Sequence, residues 1–312
     1  MRAYLLRRAF AIVPVLLGIS VLAFGLSLLA PGDPAPAIYQ QVYGQPAPNS
    51  EELDKIRAAY GLNDPAPVRY MRWLLAAVRG DLGDSLRTGL PVLQELLTNS
   101  VHSLMLAVGG LALAALIAFP VGILSAVRHN SAADVLARLL SLLGASMPSF
   151  WLAYLLILLF AVQLRWLPVG GTGELRHLVL PCLTLGLGGA AALSRLIRSV
   201  MLEALGEDYV RTARAKGAPE HVVVLRHALR NALIPIVTTL SGMFAGVLAG
   251  AVIVEFVFAV PGIGSLILSA ISFRDYPMIQ GFVVYAGTIF VVINFIVDAL
   301  YVWINPAIKL NA

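Results

Sequence analysis

The chain has 312 residues, 59% of them hydrophobic and only 12% charged, with a formal net charge of +5. That charged share is about half of the ~25% usual in soluble globular chains, so an ordinary soluble fold is excluded. The lone cysteine, Cys182, excludes an internal disulfide and a multi-cysteine metal cluster.

Six apolar stretches follow one another along the chain, at about 9–30, 101–127, 139–164, 178–194, 233–260 and 281–304. Each spans or nearly spans a hydrocarbon core, which needs ~20 helical residues. The pattern predicts an all-α polytopic membrane protein with six transmembrane helices. Arg2, Arg7 and Arg8 precede the first stretch, which is too long for a signal-peptide core of ~7–15 residues and reads as an uncleaved span.

The segment 31–98 carries its own helix signals. Asn49 or Ser50 can cap a helix whose first turn holds Glu51 and Glu52, and Gly61 can end it. A second helix, from about Pro67 to Arg79, presents Tyr70, Trp73, Leu74 and Ala77 at helical spacing. It can lie on the membrane surface or pack on the outer ends of the spans, as a structural cap rather than a substrate contact. "SMPSFW" at 146–151 places Ser146 and Ser149 around Pro148 in the third span; a bend there is either a simple proline irregularity or part of a pathway. In the fourth span Gly186, Gly188 and Gly189 lower helix propensity, while Arg195 and Arg198 can close it by snorkelling.

Residues 201–232 form the longest interruption between the later spans. Their order describes two short helices broken at Gly217, with Glu207 and Asp208 starting the first and Arg214 and Lys216 finishing it. Glu220 stands early in the second and Arg226, His227 and Arg230 late, so both helices suit the helix dipole. Pro219 fits the first helical turn after the glycine, and Pro235 opens the fifth span. The segment reads as a rigid elbow tied to a span at each end. Further on, Glu255 lies toward the far end of the fifth span and Asp298 in the sixth. Ionisable groups within spans are costly, so each either lines a polar pathway or is a buried carboxylate bonded to a neighbouring helix.

Six spans with both ends on one side assign 13 of the 22 Arg and Lys to that side. The two short loops opposite hold only Arg165, Arg176 and Arg274. By the positive-inside rule the N- and C-termini and the elbow are cytoplasmic, and nothing in this distribution calls for nucleic acid.

"EALGEDYVRTARAKGAPEHVVVLRHALRNALIP" closely resembles the cytoplasmic coupling region of permease subunits of ATP-binding-cassette importers, in the branch serving dipeptides, oligopeptides and nickel. "YLLRRAFAIVPVLLGISVLAF", "YGLNDPAPVRYMRWLLAAVRGDLGDS", "VIVEFVFAVPGIG" and "NFIVDALYVWINP" extend the likeness along the chain. The resemblance implies a type I importer permease fold and a bacterial or archaeal cytoplasmic (inner) membrane location. It also implies a second homologous permease as heterodimer partner, two ATPase subunits, a solute-binding protein and surrounding membrane lipid. ATP and Mg would belong to the ATPases, with no cofactor bound by this chain.

On the family's elbow pattern Gly217 matches the glycine. Arg211, Thr212 and Ala213 stand where Glu-Ala-Ala would, and His227, Ala228, Leu229 and Arg230 where Ile-x-Leu-Pro would. The ATPase-coupling set implied is Tyr209, Arg211, Thr212, Ala213, Arg214, Lys216, Gly217, Glu220, Arg226, His227 and Arg230. Pathway candidates are Glu255, Asp298, Ser146 and Ser149. The expected division is 1–95 for the first span and following segment, 96–305 for the transmembrane domain with the elbow at 201–232, and 306–312 for a cytoplasmic tail.

The chain does not supply energy chemistry of its own by sequence. Lys55, Lys216 and Lys309 are followed by Ile, Gly and Leu, whereas a phosphate-binding loop needs a Lys followed by Ser or Thr in a Gly-rich turn. No HExxH occurs and the five histidines are scattered, so neither a metal nor a catalytic site is expected. The alternative, a secondary transporter driven by an ion gradient, calls for midplane charges and usually an inverted repeat, and the sequence has little of either. The loop at 165–177 is short, leaving peptides, nickel chelates and other small solutes open as cargo.

Overall fold

A computed structural model describes the backbone over residues 2–29, 32–47, 49–249 and 251–304, with side chains described from 10 to 297 within those ranges. The expected tail at 306–312 and the side chain of Asp298 lie outside the described residues. Within them the chain is helical, with one isolated bridge between Asp84 and Pro91.

Among the described residues five helices are long and apolar enough to cross a membrane, and a bent pair makes a sixth if it counts as one span. The chain divides into two compact units, 1–101 with 263–292, and 102–262 with 293–312.

The first unit opens with α1 (Arg2–Leu29), whose apolar window is only 17% buried. Three shorter helices follow: α2 (Ala35–Tyr43), α3 (Ser50–Ala59) and α4 (Ala66–Val78). Asn49 caps α3 by accepting the Glu52 N–H at 3.0 Å, as its residue type predicts. α3 stops at Gly61, with φ +62. There the Leu62 N–H reaches the Arg57 carbonyl and the Gly61 N–H reaches that of Ala58, at 2.8 and 3.2 Å, the two bonds of a Schellman closure. Arg72 then braces the turn on Asp64 at 2.7 Å.

Apolar residues Ala35, Ile38, Tyr39 and Ile56 join α2 to α3. The loop before α5 (Val92–Val127) is pinned by Asp275, which is buried and accepts the Ser85 hydroxyl and the Leu86 N–H. Asp275 also accepts the Met278 N–H at 3.2 Å, capping α14 (Tyr276–Ile304), which follows the short apolar α13 (Ile263–Ser272).

The second unit contains α6 (Ala132–Ser146), α7 (Ser149–Leu156) with a π-wound continuation Ile157–Gln163, and α8 (Arg176–Gly206). Then come α9 (Asp208–Ala215), α10 (Glu220–Val222), a π-wound stretch Val223–Ala228, α11 (Leu229–Leu248) and α12 (Val252–Val257). Half of the apolar window of α8 is buried, the largest share among the five single-helix spans of the described residues. It approaches α5 closely because the contact residues are small: a Cβ on Gly122 would lie 2.7 Å from that of Ile197. Small residues at such crossings let helix backbones pack without a hydrophobic driving force.

Four sequence expectations change. The third span is not one helix over 139–164 but two legs, 132–146 and 149–163, bent by 102°. Met147 and Pro148 are extended there (ψ 123 and 138), because proline disfavours the helical region for the residue before it. The second helix of the elbow does not stop before Pro235; Glu220 to Leu248 is one continuous 29-residue run with Pro235 inside it. The fifth span ends at Leu248, and Glu255 belongs to the separate α12. Arg198 does not snorkel: its guanidinium donates two bonds, 2.7 and 2.9 Å, to the fully buried Asp134.

Candidate functional site

The elbow stands where its sequence signals predict. α9 spans Asp208–Ala215 and closes at Gly217, with φ +79, a conformation that costs L-residues with a Cβ about 1–2 kcal/mol. The Ala218 N–H bonds to the Ala213 carbonyl at 3.2 Å and the Gly217 N–H to that of Arg214 at 2.9 Å, again a Schellman closure. Pro219 is the N-cap of the next run rather than its first helical residue. Across the turn the Arg214 guanidinium donates two bonds to Glu220, 3.1 and 2.7 Å, and that carboxylate holds Arg214 above its ordinary pKa against a smaller effect of burial.

α9 has two faces. Val210 and Ala213 are buried in a core shared with Ala118 and Ala126 of α5, Ile197 and Met201 of α8, Val223 and Ala228 of the π-wound stretch, and Ile236 of α11. Tyr209, Arg211, Thr212, Arg214 and Lys216 are exposed, as are Gly217, Glu220, Arg226 and Arg230, while His227 is half-buried. Ala213 is thus the one coupling candidate with a buried side chain. Arg226 and His227 lie within the π-wound stretch, a winding found mostly as single turns at functional sites. No residue type in 223–228 signals it, since it depends on how the run packs.

Next to the elbow lies a clasp that sequence reading missed. Asp134, at the start of α6, accepts from Arg198 of α8, from the Ser125 hydroxyl of α5 and from the Asn130 N–H. It thereby ties three helices together. Burying a charge without partners costs several kcal/mol, and breaking such a pair costs ~3–5. The signal available in the sequence was an acid at the head of an apolar helix, which reads equally well as an N-terminal dipole partner.

The pathway candidates do not gather in one place. Ser146 and Ser149 are exposed at the 102° bend. Ser146 also lines a shallow cavity of about 370 Å³ with Met147, Pro148 and Trp151, while its hydroxyl donates to the Leu142 carbonyl. Glu255 is fully buried and accepts the Ser103 hydroxyl at 2.7 Å. A Cβ at Gly262 would fall 2.3 Å from the Glu255 carboxyl carbon, so a larger residue there would displace that carboxylate. Among the described residues no three His, Cys, Asp or Glu gather to hold a metal.

Membrane-length helices joined by a charged, glycine-broken elbow with one buried face define a multi-pass membrane component. The chain belongs to the family of binding-protein-dependent transport system inner membrane components. The family's model matches residues 118–310, and that of its N-terminal part matches 1–99.

The glutathione transport system permease protein GsiC of Salmonella paratyphi A is 40% identical over 98% of each chain. The dipeptide transport system permease protein DppB of Alkalihalophilus pseudofirmus is 38% identical over 99% of this chain and 100% of its own. Among solved structures, the MetNI methionine ABC transporter in inward-facing form superposes with a TM-score of 0.56 at 20% identity. That match covers 67% of this chain and 96% of the other, and it shows the shared fold. The protein is therefore a multi-pass inner-membrane permease of an ABC importer, and the ion-gradient reading is set aside.

Proposed function

We propose that this permease forms half of the translocation pathway for peptides and that residues 209–230 receive the motion of partner ATPases. The observation that carries the reading is the two-faced elbow: its apolar side is seated among α5, α8 and α11 while its charged side is accessible. A push on the charged side is delivered to three spans at once. In this reading a second homologous permease completes the pathway, two ATPases bind ATP and Mg, and an external solute-binding protein delivers the cargo. The elbow and both termini face the cytoplasm. Peptides are favoured over nickel chelates because the full-length relatives are named for dipeptide and glutathione transport.

Ser146 and Ser149 are the better pathway candidates, being exposed at a bend. Glu255, held by Ser103 and packed on Gly262, suits a brace for the α12 turn. The test is assembly with the co-purifying subunits in vesicles, followed by ATP-dependent uptake of labelled di- and tripeptides. Gly217→Pro is expected to abolish uptake while the assembly persists and ATP is still hydrolysed, because proline fixes φ near −65° and has no N–H for the Arg214 carbonyl. Normal uptake by this variant would remove the coupling role.

A further inference from the structure

α4 carries apolar side chains on two faces, and one face has a protein partner. Tyr70 and Trp73 rest on Phe24 of α1, with ring centroids 5.5 and 6.0 Å away. The Tyr70 hydroxyl meets Ser20 Oγ at 2.8 Å. Elsewhere on the helix Val68, Met71, Leu75 and Val78 are 48%, 52%, 54% and 78% exposed. Their spacing of three, four and three residues aligns them in one stripe. Arg79, exposed at the cap, projects beside that stripe at 100° per residue, while Arg72 is held by Asp64 and Arg69 lies on the Trp73 side.

Depth decides what the stripe meets. Phe24 and Ser20 stand five and nine residues before the end of α1 at Leu29, or about 7 and 13 Å down a helix rising 1.5 Å per residue. The apolar window of α1 is 20 residues long, about the thickness of a hydrocarbon core. α1 exposes Val13, Leu17, Val21 and Leu22 along its length, as a lipid-facing helix does. A helix packed on Phe24 and Ser20 therefore lies beside the span, below its end, at a depth where α1 itself exposes Val21 and Leu22.

We infer that α4 is an in-plane membrane helix. Its Val68–Met71–Leu75–Val78 stripe is immersed in acyl chains, and Arg79, exposed at the end of the helix, reaches the phospholipid headgroups. Amphipathic helices of this kind bury an apolar face ~5–10 Å into the headgroup and acyl boundary, which agrees with the depth set by Phe24. A protein partner suits the stripe less well. Four side chains in a row offer only a few hundred Å², against about 800 Å² per partner in a stable protein interface.

The experiment uses the full chain with its co-purifying subunits in phospholipid vesicles, with Cys182→Ser so that one introduced cysteine carries a nitroxide. Labels at Leu75→Cys and Met71→Cys are expected to collide with oxygen several-fold more often than with a water-soluble nickel chelate. A label at Asn63→Cys, in the loop before α4, should show the reverse. Chelate access at 75 and 71 equal to that at 63 would overturn the inference. So would shielding from both reagents that is lost when the partner subunits are removed, since a protein would then cover the stripe. Should Leu75→Cys fail to insert, Val78→Cys reads the same stripe. None of these outcomes depends on the cargo or on the elbow.

Discussion

Two helical turns in this chain close with the same local chemistry and are embedded in opposite ways. α3 and α9 each stop at a left-handed glycine with the same pair of hydrogen bonds, and each turn is braced by an Arg–carboxylate pair, Arg72–Asp64 and Arg214–Glu220. After Gly61 the chain enters α4, fastened to α1 along one side with an apolar stripe left open. After Gly217 it enters a 29-residue run that becomes a span, while the apolar side of α9 is enclosed. The stop signal sets the angle of a turn. The burial of the neighbouring face decides if that turn is locked into a core or left at its surface.

The largest way to break the comparison is a charge on the enclosed side. Ala213→Asp places a carboxylate in the α5–α8–α11 core, and a buried unpaired charge costs several kcal/mol. The expected outcome is an unseated elbow, seen as rapid protease cleavage within 207–220 and loss of peptide uptake. Met71→Asp, on the lipid-facing stripe of α4, should disturb the seating of α4 in the bilayer but leave the 207–220 segment protease-resistant under the same conditions.

The two glycines provide the next contrast. Gly217→Ala meets open space and carries the backbone strain alone, about 1–2 kcal/mol. At Gly61 a Cβ would also fall 2.2 Å from Arg72 Nη1 and 2.8 Å from Asp64 Oδ2. Gly61→Ala must therefore displace the brace as well, and thermal unfolding in detergent should show it as the more destabilised of the pair. Equal shifts would mean that the Arg72–Asp64 brace yields freely.

Acid separates the regions more gently. Burial raises the Asp33 pKa, but the Ala35 N–H and the Arg57 guanidinium outweigh it and hold the carboxyl below its usual range. A depressed carboxylate gives its full stabilisation above the unfolded value, ~3.9, and loses it as pH falls through the folded value. Asp33→Asn should therefore flatten the stability loss of the α2–α3 segment below about pH 4, followed by unfolding monitored at Tyr39 and Tyr43. Smallest of all, Arg214→Gln opens an exposed pair worth less than about 1 kcal/mol. It should lower uptake only slightly, so a loss as large as that of Gly217→Pro would show that Arg214 itself contacts the ATPase.

The existence of the spans was legible because apolar runs of sufficient length have few other uses. The elbow's glycine was legible because the bases Arg214 and Lys216 before it and the acid Glu220 after it mark one helix end and the next helix start by chemistry that acts within one turn. The 102° break was half legible: Pro148 announced an irregularity, but its angle depends on what α6 and α7 each pack against. The continuity of Glu220 to Leu248 was hidden because Pro235 normally signals a boundary. The Asp134–Arg198 clasp and the Asp275 pin were not legible at all, since 64 and 190 residues separate Asp134 from Arg198 and Ser85 from Asp275, and nothing local records such pairings.

The π-wound stretch at 223–228 carries a consequence for chain length. A single widened turn is an α-helix with one residue too many. Deleting one residue there lets the run relax to regular winding while the helices on either side keep their facing. The same deletion anywhere else in Glu220–Leu248 turns everything beyond it by about 100°. Of the whole 29-residue run, this one turn is where a codon can be lost without misdirecting the span.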